Sequence, residues 1–275
     1  LMYTSVDVLG ERWTVATVYR VKMGLVYAVI IVLVLGQTVL LIGLRHITNP
    51  AAYTHDGGVI QTEITIEYLL TGVNPYVTDY LNTPLAAWGT EYRTVLYHYP
   101  YLPWTFLFSA PFYLLSRAAW GWFDERFVYL LLFAMTLVMA QSLARRHSHK
   151  LAVVMVLGLN PILASDVIFG QNDSFVLFWI VLALWLLRSA ETRNAAQGSL
   201  ALRSLSTAVF GLACASKPTA WFLAPFWLFY LLRDEMKTPG GGTRLMAKGI
   251  WWLGRLLRCA WPLVVVFLLV VGPWF

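Results

Sequence analysis

The apolar positions of this chain fall in long unbroken runs, without the strict alternation of half-buried strands. Residues 23–44, MGLVYAVIIVLVLGQTVLLIGL, contain no charged side chain. A helix needs about 20 apolar residues to cross hydrocarbon, which this run satisfies. A buried core helix conflicts with that length, and no small-residue cleavage site follows to mark a signal peptide. Six further runs, at 127–144, 151–168, 173–188, 204–216, 219–232 and 259–275, also read as spans. Several are short, as helices packed against protein instead of lipid are. An eighth run, 101–119, is interrupted by Pro103 and Pro111. The pattern predicts an all-α polytopic membrane protein with about seven transmembrane helices.

Charge sets the orientation. Basic residues gather at Arg12, Arg20 and Lys22, in RRHSHK (145–150), in 188–203 and in 233–258. Short basic connections stay in the cytoplasm. All four share one side only if 101–119 does not cross, and fifteen of the 20 lysines and arginines then face inward. On this reading residues 1–22 are a cytoplasmic N-terminal segment and 23–275 a transmembrane domain. Residues 45–126 form a long first extracytoplasmic loop containing juxtamembrane helices. Nine of the 14 acids lie on the outer side.

Composition agrees with a membrane chain: 59% hydrophobic and 12% charged residues, where soluble domains carry about 25% charged. The net charge of +6 follows from the inward basic loops, so no nucleic-acid partner is expected. Cys214 and Cys259 lie in or beside apolar segments and offer no metal or disulfide spacing. No cofactor or metal site is expected from the motifs. The chain ends inside the apolar run VVVFLLVVGPWF, which leads us to expect truncation at the C-terminus.

The outer loop opens with YTHDGGVIQTE (53–63). Asp56 has two readings. It caps a glycine-led helix, or it is a partly desolvated carboxylate suited to accept a proton. Glu63 and Glu67, four apart, share one helix face, which places Ile60, Ile64 and Leu70 on the bilayer surface. Gly72 and Asn74-Pro75 end that helix. Tyr76, Tyr80, Trp88, Tyr92, Tyr97, Tyr99, Tyr101 and Trp104 form an interfacial aromatic belt, a sugar-binding shelf, or both. His98 sits between Tyr97 and Tyr99. Gln171, Asn172 and Asp173 occupy a tight outer turn, where Asp173 either caps the next helix or faces substrate. Lys217 breaks the positive-inside pattern. It either snorkels or pairs with a phosphate.

The order of these elements carries a resemblance. HDGG, GVNPY, YHYPYLPW, LNPILASDVIFGQNDS and ACASKPTAWFLAPF follow a first span in the sequence seen in the GT-C superfamily of polytopic glycosyltransferases. The likeness covers roughly 20–230 and is nearest the polyprenyl-phosphate-sugar-dependent mannosyl- and glucosyltransferases. The element at 99–103 reads Tyr-Pro-Tyr-Leu-Pro where the family has Tyr-Pro-Pro-Leu, and no Asp-X-Asp pair stands at the first acid. The resemblance implies transfer of a hexose, with inversion, from a polyprenyl-phosphate donor to an acceptor hydroxyl on a glycan, lipid or protein. Asp56 would be the general base. Glu63, Glu67, Tyr76, His98, Tyr99, Gln171, Asn172 and Asp173 would contact substrate, and Lys217 would hold the donor phosphate. The expected setting is the extracytoplasmic face of a bacterial plasma membrane, in preference to the endoplasmic reticulum. Membrane lipid and a partner subunit are the other expected associates. The alternative is a non-catalytic membrane subunit with a GT-C-like core. A transporter fits less well, because no inverted repeat is visible and the polar residues gather at one face.

Overall fold

The computed structural model describes residues 2–10, 13–55, 58–87, 93–192, 198–236 and 245–275. Among the described residues all regular structure is helical and no strand occurs. The chain divides into two compact units, one of residues 1–100 and 106–178, the other of residues 101–105 and 179–275.

The first unit begins with α1 (Met2–Leu9), α2 (Val15–Ile30) and α3 (Gln37–Ile47). A π-helical stretch, Ile31–Gly36, joins α2 to α3, giving one apolar helix over Val15–Ile47. It starts earlier than the apolar run because Thr14 caps it, its hydroxyl accepting from Thr17 N–H at 3.2 Å. Lys22, expected in the cytoplasmic segment, lies inside this helix, paired with Asp7 at 2.6 Å. Pro50, which cannot continue a helix, follows its end.

Next come α4 (Gly58–Leu70), α5 (Trp104–Trp120), α6 (Arg126–Leu143), α7 (His147–Gly158), α8 (Pro161–Phe169) and the start of α9 (Asp173–Thr192). Ile60 and Ile64 do not lie on a bilayer surface. They are buried at 2% and 5% exposure, whereas Leu70 is exposed. Protein surrounds the first turns of α4: Gln61 Nε2 donates to the carbonyls of Val95 and His98 at 2.7 and 2.8 Å, and Thr65 bonds the Tyr80 hydroxyl at 2.9 Å. The run at 101–119 is helical as α5 despite Pro111. The run at 151–168 is broken. Asn160 accepts from Ile162 and Leu163 N–H, Pro161 opens α8, and α7 and α8 meet at 50°. Met23, Val26, Ile30 and Val34 pack in one core with Phe133, Leu137, Leu151, Val154 and Val167.

The second unit holds the rest of α9, α10 (Gly198–Cys214), α11 (Ala224–Met236) and α12 (Leu245–Val271). α10 runs against α12, and a Cβ on Gly211 would stand 2.9 Å from the Leu263 carbonyl. Phe210 stacks on Trp227 at 4.6 Å. The expected span at 219–232 is divided into a 3-10 turn, Pro218–Leu223, and α11. Four helices among the described residues are long and apolar enough to cross a membrane: Val15–Ile47, Arg126–Leu143, Asp173–Thr192 and Leu253–Trp274. The bent α7–α8 pair makes five, and Leu200–Cys214 is a shorter apolar helix.

Candidate functional site

A buried charge network ties the end of α3 to α4 and to the start of α6. Arg45 grips Glu63 with both terminal nitrogens, at 2.8 and 2.7 Å, and donates to Asp124 at 2.7 Å. Its Nε donates to the Pro50 carbonyl at 2.6 Å. Asp124 in turn accepts from Arg126 at Nε and Nη2, both at 2.8 Å. Arg45 is 6% exposed, Asp124 1% and Arg126 0%, so these charges have each other as partners and little water.

Burial alone would push the Asp124 carboxyl up. The hydrogen bonds and charge of Arg126, with those of Arg45, outweigh it and hold Asp124 below the usual carboxylate range. Glu125 is the opposite case. Burial pushes it well above its ordinary value, the Ser109 hydrogen bond only partly opposes this, and the charges of Glu63 and Asp124 push the same way. Ser109 donates to its Oε1 at 2.5 Å, while Oε2 is buried without a partner.

Arg126 also reaches outward from this network. Its Nη1 donates to the Tyr53 carbonyl at 2.9 Å and to the Ile168 carbonyl at 3.2 Å. It thereby fastens the segment preceding Asp56 to the end of α8. Tyr53 adopts φ +60°, a left-handed value costly for a tyrosine. Beside this clamp the His55 N–H donates to the Phe169 carbonyl at 3.0 Å. Gln171 Nε2 donates to His55 Nδ1 at 2.9 Å, which leaves the proton of a neutral ring on Nε2. Asp56 lies outside the described residues.

The turn itself is built by Gly170, at φ +80°, which closes α8 in the left-handed conformation that glycine adopts without cost. Asp166 reaches over the turn and accepts the N–H groups of Asp173 and Ser174, at 3.2 and 2.7 Å. The start of α9 is therefore capped from α8, and the Asn172 side chain is not used as a cap. Asn172 is 2% exposed, and both its amide oxygen and nitrogen are buried without partners, as is the Ser174 hydroxyl. Such groups cost free energy unless something bonds them. Asp173 is exposed at the first turn of α9.

The remaining sequence candidates divide between other settings. Glu63 serves the ion network. Glu67 is exposed, accepts from the Tyr113 hydroxyl at 2.8 Å and shares with Glu63 the lining of a cleft of about 250 Å³. Tyr99 is a core residue at 3% exposure, its hydroxyl 3.2 Å from that of Thr62. Tyr76 packs edge-on to it at 6.0 Å, and burial raises the Tyr76 phenol above its ordinary pKa. These two rings form an aromatic cluster with Phe106 instead of an open shelf. His98 is exposed. Lys217 belongs to the second unit, half-buried before the Pro218–Leu223 turn, with Nζ 5.8 Å from the Tyr101 ring centroid. Among the described residues no three His, Cys, Asp or Glu side chains converge as metal ligands do.

Sequence reasoning passed over Arg45, His55, Arg117, Arg126 and Asp166. The signal for three of them was present. Arg45, Arg117 and Arg126 break the positive-inside pattern on the same reading that singled out Lys217. No family model, curated protein sequence or solved structure matches the chain.

Proposed function

We propose that the chain is a membrane glycosyltransferase of the GT-C type. It moves a hexose, mannose or glucose, from a polyprenyl phosphate to an acceptor hydroxyl on the extracytoplasmic face, with inversion. Asp56 takes the acceptor proton, Lys217 holds the donor phosphate, and the 170–173 turn orients substrate. A seven-span topology with an outer loop over 45–126 belongs to this reading.

One observation carries it. The HDGG segment and the GQND turn lie more than a hundred residues apart in sequence, yet His55 bonds both the Phe169 carbonyl and the Gln171 side chain. A polar turn holding the unpartnered Asn172 amide thus meets the residue that directly precedes Asp56. An unsatisfied amide in a turn bonded to the residue before an acid in sequence suits recognition of hydroxyl groups, and the acid itself suits removal of a proton. The leaving group is a phosphate, so an acid on the departing side is not required.

The test is sugar transfer from polyprenyl-phosphate mannose and polyprenyl-phosphate glucose to membrane acceptors, comparing wild type, Asp56→Asn and Asn172→Ala. The reading expects transfer by wild type, at least about a hundredfold loss in Asp56→Asn as for removal of a general base, and a smaller loss in Asn172→Ala. Undiminished transfer by a folded Asp56→Asn protein would remove Asp56 from the chemistry. Absence of transfer from either donor by wild type would favour the subunit reading.

A further inference from the structure

The cleft at the end of the first long helix carries charges beyond Glu63 and Glu67, the two that the resemblance counts as substrate contacts. Its floor is Arg45, Glu63 and Asp124, already committed to one another. Its rim holds two opposite charges that do not meet. Tyr113 donates to Glu67 Oε1 at 2.8 Å, and the Arg117 guanidinium lies 5.7 Å from the centre of the Tyr113 ring. Glu67 and Arg117 therefore share one tyrosine, and no ion pair joins them. Arg117 donates from Nη1 to the Gly121 carbonyl at 3.1 Å, leaving its other N–H groups open, and Glu67 Oε2 has no partner. His46 stacks on Trp122 at 4.2 Å, and neither of its ring nitrogens is hydrogen-bonded.

An anion and a cation held apart at the mouth of a cleft fit a ligand carrying both charges in reverse. The volume, about 250 Å³, falls below the roughly 300–1,000 Å³ typical of sites that enclose a whole drug-sized ligand, so a headgroup fits and a bulky molecule does not. Exposed apolar side chains stand close by: Ile47 directly follows His46, and Trp120 shares the helix face of Arg117 and packs against Trp122. Their exposures are 75% and 63%. Long chains of an amphiphile have apolar surface to follow there. A quaternary ammonium would want an open aromatic cage, but His46 covers one face of Trp122. A primary ammonium needs only a carboxylate acceptor.

We propose that this cleft binds the headgroup of a zwitterionic phospholipid bearing a primary ammonium, with the ammonium on Glu67 and the phosphate on Arg117. His46 supplies a second donor to the phosphate, and the acyl chains lie on Ile47 and Trp120. The site does not depend on the glycosyl-transfer reading.

The experiment uses the full chain, purified in mild detergent and stripped of lipid. Native mass spectrometry then measures retention of phosphatidylethanolamine, phosphatidylcholine and phosphatidylglycerol with matched acyl chains, and of soluble glycerophosphoethanolamine. The ethanolamine lipid should be retained about tenfold more than the other two, the size of one charge-assisted hydrogen bond. Glu67→Gln and Arg117→Gln should each erase that preference, with melting temperatures near wild type because both side chains are exposed. Equal retention of the three lipids, or an undiminished preference in both variants, would overturn the site. Retention of the soluble headgroup as strong as that of its lipid would overturn the lipid assignment in favour of a free zwitterion.

Discussion

Arg126 donates to the backbone carbonyl of Tyr53 at 2.9 Å while its Nε and Nη2 are held by Asp124. The same nitrogen reaches the Ile168 carbonyl, so a single buried guanidinium fixes two stretches of chain that are remote in sequence. Arg126→Met should cost about 3–5 kcal/mol, the loss expected when one partner of a buried ion pair is removed. Arg126→Lys keeps the charge but not the planar fork, and should recover only part of that. Thermal unfolding in detergent reads both. Equal melting of Arg126→Met and wild type would show that the clamp carries no stability.

Glu125→Gln should stabilise the protein increasingly as pH rises. The carboxyl is raised in the folded state, so the folded protein favours the neutral form. Below the unfolded value of about 4.5 both states are protonated and the variant gains nothing. Above it the unfolded chain ionises first, and wild type loses stability until pH passes the folded value. The glutamine escapes this loss while keeping an acceptor for Ser109. Melting curves of the two proteins across pH should diverge upward. Parallel curves would mean that Glu125 ionises normally.

Asp166→Ala should destabilise by about 1–2 kcal/mol, as loss of a helix cap does, because two amides at the start of α9 lose their acceptor. Asp166→Asn keeps one neutral oxygen and should lose less. Protection of the Asp173 and Ser174 amides in hydrogen exchange should fall in the alanine variant and not elsewhere in α9.

Gly170→Ala should cost about 1–3 kcal/mol from the left-handed backbone alone. A Cβ there would also press on Val59 and stand 3.0 Å from Arg126 Cγ, so the change strains the clamp as well as the turn. A melting temperature within a degree of wild type would contradict this account.

The helical class and the apolar character were legible because runs such as 23–44 report burial in lipid or protein through composition alone. The break at Asn160-Pro161 carries a sequence signal, an N-cap followed by proline, but the length of the surrounding apolar run masked it. The burial of Ile60 and Ile64 was not legible. An apolar residue facing lipid and one facing protein look alike in sequence, and the segment that holds α4, through the Val95 and His98 carbonyls on Gln61, lies more than thirty residues away. The site divided in the same way. Gln171 and Asn172 stood out as polar residues in a short turn. Asp124 and Glu125 read as ordinary loop charges, because nothing local indicates that Arg45 and Glu63 will enclose them.

The bend between α7 and α8 bears on how the protein is made. At 1.5 Å per residue, α8 rises only about 13 Å and α7 about 18 Å, each far short of a bilayer's roughly 30 Å hydrocarbon core. Neither half can be handed to the lipid as a free-standing helix. Their apolar surface is covered instead by the first long helix and α6, so this segment depends for its burial on elements synthesised before it.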